Sequence, residues 1–287
     1  MNLSAAAYTF TETEGYPLRS GKIKIKRYKT GRNKTGLLII LPVLLLAACF
    51  LYVHRTGGLS LPPFLAPSLT AEEMQQETRM ITLPGASHFA LQLGAFSEKE
   101  SAKALAESYR SRGAAGYIFE NDSYRVLAAV YASREDARAV QKKLAENHGV
   151  DAYLYPLTRS QITLKLSGQR AQLNALSDAM DVCVQLTDTL GTLSQSLDAG
   201  SLSKEEATQA LQSQQETLRA LNTRLSSLFV KEEHPAVTAL CALLTQTEQG
   251  LSSAAGAANA TRLGSGIKYS QLTLLCGLEQ YVLALAP

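Results

Sequence analysis

The chain is poor in the residues from which reactive centres are built: 287 residues include four cysteines and four histidines. Cys49, Cys183, Cys241 and Cys276 stand far apart, with no CxxC pair, so neither a zinc site nor a dithiol of ordinary spacing is present. The last three lie among apolar residues at helical spacing, where a free thiol packs as a small hydrophobe. His54, His88, His148 and His234 have no cysteine or carboxylate at ligand spacing and read as surface residues. A Gly-rich phosphate loop, a nucleophile elbow and an HExxH motif are all missing. No two carboxylates are placed to face one another across a cleft, as a glycosidase needs. These absences predict a protein without catalytic residues, cofactor or metal.

Acids are missing from the stretch that holds Arg19, Lys22, Lys24, Lys26, Arg27, Lys29, Arg32 and Lys34. Charge of either sign is missing from the next stretch, residues 36–53, GLLIILPVLLLAACFLYV. At 1.5 Å per residue this run reaches about 27 Å, enough to cross a hydrocarbon core, and Pro42 is tolerated in such helices. Cations on the N-terminal flank predict an N-terminus in the cytoplasm and the rest of the chain outside. The run ends Phe50-Leu51-Tyr52-Val53, without the small residues of a cleavage site. Leu46-Ala47-Ala48-Cys49 is similar to a lipobox, but the apolar run continues past Cys49, which favours a retained anchor. The expected order is a disordered basic tail at 1–35, a transmembrane helix at 36–53 and a Pro/Gly-rich linker at 54–86. Within the linker, a short helical turn around 71–80 is the most structure expected.

From His88 the overall composition of 46% hydrophobic residues begins to show regular patterns. Residues 89–96, FALQLGAF, alternate as a strand and lead into a helix with Ala102, Leu105, Ala106 and Tyr109 at helical spacing. Thirty-five positions later the plan returns: residues 124–131, YRVLAAVY, then Ser133-Arg134-Glu135-Asp136-Ala137 opening a second helix with Val140 and Leu144. Ser133 with Asp136 reads as an N-cap pair, and Gly113 and Gly149 as helix stops. Residues 117–119 and 152–155 supply the other strands. The order β-α-β-β-α-β over 87–157 is the ferredoxin-like, α+β plan: a four-stranded sheet with both helices on one face and the other face open.

From 168 to 287 the spacing is helical. Four amphipathic helices are predicted: one through Leu173, Leu176, Met180 and Cys183; a second opened by the capping box Ser203–Glu206; a third opened by Pro235; a fourth through Ile267, Leu274, Leu278, Tyr281 and Leu285 after a Gly/Ala-rich connection at 254–266. Short connections imply an antiparallel bundle. Its Gln-, Ser- and Thr-rich faces suit a modest interaction surface.

The open sheet face is the candidate site. With Leu91 and Leu93 toward the helices, alternation sends Ala90, Gln92 and Gly94 outward; on the third strand it sends Val126 and Ala128 inward and Arg125, Leu127 and Ala129 outward. Gln92 and Arg125 offer donors and an amide acceptor, and Tyr117, Phe119, Tyr153 and Tyr155 on the outer strands offer aromatic faces.

Leu91-Gln92-Leu93-Gly94-Ala95-Phe96-Ser97, Ala102, Tyr124-Arg125-Val126 and Ser133-Arg134-Glu135-Asp136-Ala137 together resemble the two half-repeats of the SPOR (sporulation-related repeat) family. The resemblance implies binding of peptidoglycan glycan strands, stripped of stem peptides, on the exposed sheet face at division or sporulation septa. Gln92 matches the family's first-strand glutamine, and many members carry one N-terminal membrane helix. The partners expected are therefore glycan strands, the membrane, and division or sporulation proteins met through the bundle. Nucleic acid is not among them: RNA-recognition domains share the topology, but their central-strand aromatics are missing and the domain is expected outside the cytoplasm. The C-terminal bundle resembles no family. A protein-interaction scaffold working mainly through the bundle is the alternative.

Overall fold

The computed structural model describes residues 26–27, 70, 72–230 and 234–285. The apolar run 36–53 with Cys49, the tail apart from residues 26–27, and the linker up to residue 69 lie outside the described residues. Among the described residues no helix is long and apolar enough to cross a membrane.

The elements in order are β1 (Lys26–Arg27), β2 (Gln76–Leu83), β3 (Ala86–Phe96), α1 (Lys99–Arg110), β4 (Tyr117–Glu120), β5 (Tyr124–Tyr131), α2 (Arg134–His148), β6 (Tyr153–Arg159), β7 (Ile162–Gln169), α3 (Arg170–Asp198), α4 (Lys204–Leu228), α5 (Pro235–Ala255) and α6 (Ala260–Ala284). β3 to β6 form the expected β-α-β-β-α-β unit, an antiparallel sheet in the order β4-β5-β3-β6. The Ser133 side chain caps α2 by accepting from the Asp136 backbone N–H, and Gly149 ends that helix at φ 61°. Helix α1 ends at Arg110 with Ser111 as its C-cap, short of the glycine read as its stop, and Gly113 takes φ 93° in the turn beyond.

The linker expectation fails from residue 72 onward. A turn at Glu72–Met74 leads into β2, a full strand. Ile81 and Leu83 face the bundle core while Met80 and Thr82 face out, so the segment has the period of two that a half-buried strand requires. Its partner β7 was likewise unassigned by sequence. The pairing keeps one register across two sheets, from Gln76↔Gln169 to Leu83↔Ile162 in the first and from Ala86↔Arg159 to Gln92↔Tyr153 in the second. β2–β3 and β6–β7 therefore run as one antiparallel ribbon whose pairing is interrupted at residues 84–85 on one arm and 160–161 on the other, where it passes from one sheet to the other. Arg159 fastens this junction, its Nε and one terminal nitrogen donating to the Pro84 carbonyl at 3.2 and 3.1 Å. Gly85 leaves room there: a Cβ would lie 3.1 Å from the Arg159 carbonyl oxygen and the Gln161 nitrogen. β1 pairs with the far edge of β7, Lys26↔Lys165 and Arg27↔Leu164.

The four C-terminal helices pack as a bundle, α3 and α5 each against their chain neighbours and α3 also against α6. The Ser203–Glu206 capping box and Pro235 at the first helical turn start α4 and α5 as expected. α6 begins seven residues earlier than the pattern suggested, because Asn259 caps it by accepting from the Arg262 N–H at 2.9 Å. Cys183 and Cys276 are buried free thiols and Cys241 is half-buried. His88 departs from its surface expectation: it is buried on β3 beside Arg159 and Asp188.

Candidate functional site

The second face of the four-stranded sheet is the face on which the sequence placed the site, and it is not open. Helix α6 lies across it. Leu272, Leu275 and Cys276, at i, i+3 and i+4, bury against Ala90, Leu127, Val130 and Leu157. The opposite stripe of α6, with Leu263, Ile267, Leu274, Leu278 and Tyr281, belongs to the bundle core. Ser265 Oγ donates to the Ala114 carbonyl at 2.7 Å, and Lys268 Nζ donates to the Gly113 carbonyl and to Asp198, both at 2.9 Å. Burying the two leucines alone is worth roughly 3–6 kcal/mol at the upper bound. A helix apolar on both sides is held by both, so α6 is a fixed wall and not a lid.

Each residue from the sequence can now be placed. Leu127 is wholly buried beneath α6 and unavailable to any ligand. Tyr117 is half-buried, its ring 5.4 Å from that of Tyr269 on α6 and its hydroxyl against Cys276; burial raises the Tyr117 pKa well above the usual phenol range and pushes the Cys276 thiol up to about 12. Gln92 and Arg125 do lie on this face and bond to each other, the guanidinium donating to Gln92 Oε1 at 3.0 Å. Arg125 also stacks on Tyr155, 5.0 Å from the ring centre. Phe119 and Tyr155, on the two outer strands, lean over the sheet and meet at 5.8 Å. Tyr153 is 65% exposed.

Two register expectations fail for one reason. Between Leu91↔Ala129 and Gln92↔Leu127 the strand β5 carries an extra residue, Ala128; between Gln92↔Leu127 and Gly94↔Val126 the strand β3 carries an extra residue, Leu93. At such bulges alternation breaks. Ala129 therefore joins the core beneath α2, with Ala137, Val140 and Leu144. Gly94 also turns to the helix side, where a Cβ would lie 3.1 Å from Leu105 of α1.

Part of the face thus remains beside α6: the partly buried Gln92–Arg125 pair, Phe119 and Tyr155, and the exposed ring of Tyr153. It offers aromatic rings and polar hydrogen-bonding groups. Among the described residues no group of His, Cys, Asp and Glu could hold a metal. Comparison with curated proteins and with solved structures returned no match. The family model of the SPOR domain matches residues 85–156, and the helical region beyond it is assigned to no family. SPOR domains belong to a peptidoglycan-binding, septum-targeting family, and residues 85–156 of this chain, which hold the βαββαβ unit up to the middle of β6, are similar to that domain.

Proposed function

We propose that the chain is a non-catalytic, membrane-anchored protein that uses the uncovered part of its SPOR sheet to hold glycan strands of peptidoglycan at septa. The observation that carries this reading is the exposed Tyr153 beside Gln92 on the free part of a matched SPOR domain. Aromatic rings meet the C–H faces of sugars, while amide and guanidinium groups meet hydroxyls. Each contact adds about 1 kcal/mol net, so one site binds weakly. Repeated sites along a strand and confinement at the membrane surface raise the effective concentration.

The anchor is the run at 36–53, with the N-terminus inside. An N-in crossing there and the β1–β7 pairing exclude each other, because the run lies between the two strands. Twelve Leu, Ile, Val and Phe residues in the run favour the bilayer by roughly 4–7 kcal/mol. A two-residue strand offers a few hydrogen bonds at about 1 kcal/mol each, so the proposal takes the crossing.

The test is co-sedimentation of the detergent-solubilised full chain with purified sacculi, intact or stripped of stem peptides. Stripped sacculi should retain the chain, Gln92→Glu should weaken retention, and labelled peptidoglycan should not be turned over. No retention by stripped sacculi sinks the reading. The second reading, a scaffold in which the SPOR sheet chiefly seats the bundle, is favoured by the part of the face that α6 takes. Septal localisation retained by Gln92→Glu would support it.

A further inference from the structure

We infer that the glycan-binding surface extends beyond the SPOR domain onto the last helix of the bundle, with Tyr269 as its second exposed aromatic contact. This rests on the glycan-binding reading above and adds a residue that the SPOR domain does not contain.

The pairing register places Tyr117, Leu127, Gln92 and Tyr153 in one row across all four strands. Three interstrand spacings make this row about 14 Å long. Its two ends differ from its middle. At the β6 end Tyr153 stands 65% exposed; at the β4 end Tyr117 is half-buried, and the ring that reaches solvent beside it is Tyr269, 37% exposed. Two exposed tyrosines therefore bracket the Gln92 amide, one supplied by the SPOR domain and the other by α6.

Tyr269 is also held in place before any ligand arrives. The Arg110 guanidinium stacks on it at 5.0 Å, and Arg110 is itself fixed by donating to the Ala115 and Gly116 carbonyls at 3.2 and 2.9 Å. Tyr117 buttresses the ring from the sheet side. An aromatic ring already ordered by its neighbours loses little freedom on binding. The row itself is covered at Leu127, beneath α6, so a polysaccharide that meets both exposed rings runs alongside the helix over the flank of the row, not along its floor. The ligand class is an extended glycan whose sugars present C–H faces to both rings.

The experiment is sedimentation with stripped sacculi using the full chain and the variants Tyr269→Ala, Tyr269→Gln, Tyr269→Phe and Gln92→Glu, with thermal unfolding confirming that each is folded. Tyr269→Ala and Tyr269→Gln should bind about fivefold more weakly, the loss of one aromatic contact, and Tyr269→Phe should bind as the wild type does. If Tyr269→Ala and Tyr269→Gln both bind like the wild type while Gln92→Glu is weakened, the extension onto α6 is wrong and the glycan-binding reading stands. If Tyr269→Phe loses as much as Tyr269→Ala, ring contact is not the basis and the inference fails. A wild-type chain that does not bind overturns both.

Discussion

Leu272→Ala probes the contact that makes the SPOR domain and the bundle one body. Leu272 is fully buried between α6 and the sheet, in a cluster with Ala90, Leu127 and Val130. Truncation to alanine removes three carbons and leaves a cavity that the rigid sheet cannot fill, at a cost of about 3 kcal/mol. The distribution of that loss is the informative part. With α6 buried on both sides and one strand ribbon running through both regions, the two should unfold together. The chain has no tryptophan, so hydrogen exchange read peptide by peptide is the suitable assay. Core amides of residues 124–131 in the SPOR sheet and of 240–251 in α5 should both exchange roughly 150-fold faster in the variant. Acceleration confined to one of the two segments refutes the single-body argument, and so does a change smaller than about threefold in both.

Other perturbations separate further causes. Gly149→Ala should cost about 1 kcal/mol, since φ is 61° but nothing lies within 4 Å of the added Cβ. Gly116→Ala should cost at least twice as much in urea denaturation, because its Cβ would sit 2.6 Å from the Ala106 carbonyl oxygen at φ 57°; equal costs would show that the backbone conformation alone matters. Burial holds the His88 pKa below its ordinary value, with Asp188 opposing and the Arg159 charge adding to the shift. The folded state thus prefers the neutral ring. Above about pH 6.5 neither state is protonated; below it the unfolded chain takes the proton first. Stability contributed by the neutral ring is therefore lost as pH falls from about 6.5 toward the folded pKa. The unfolding temperature should drop between about pH 7.5 and 5.5, and less steeply in His88→Gln. Burial raises the Glu279 carboxyl pKa, which acts with the opposite sign, so the difference between wild type and variant is the quantity to measure.

Local periodicity carried most of the SPOR domain. Whereas the side on which Tyr117, Phe119, Tyr153 and Tyr155 fall follows from the strand register, the two half-repeats, the Ser133 cap and the αL glycine at 149 are all set within a few residues of chain. Gln92 and Arg125 were legible for the same reason. Ala129 and Gly94 were not, because the two bulges come from how β3 and β5 pair, and alternation along one strand cannot register a residue inserted opposite another. The strands β2 and β7 carried a local signal that went unused, since Ile162, Leu164 and Leu166 alternate with Thr163, Lys165 and Ser167 as in a half-buried strand; what the sequence did not hold is their pairing, about 80–90 positions apart.

The covered face has a different history. The sequence of α6 held a signal that a single apolar stripe conceals: Leu272, Leu275 and Cys276 face away from Leu274, Leu278 and Tyr281, and a helix apolar on two sides is buried on two sides. That pattern says a second surface must cover α6 but not which surface. Hydrophobic burial has no direction and no address, so the choice of the SPOR sheet belongs to the tertiary structure, where the ribbon brings the sheet beside the bundle. The sequence determined the platform, its helices and its polar and aromatic residues. The packing of distant segments decided how much of that platform a ligand can still touch.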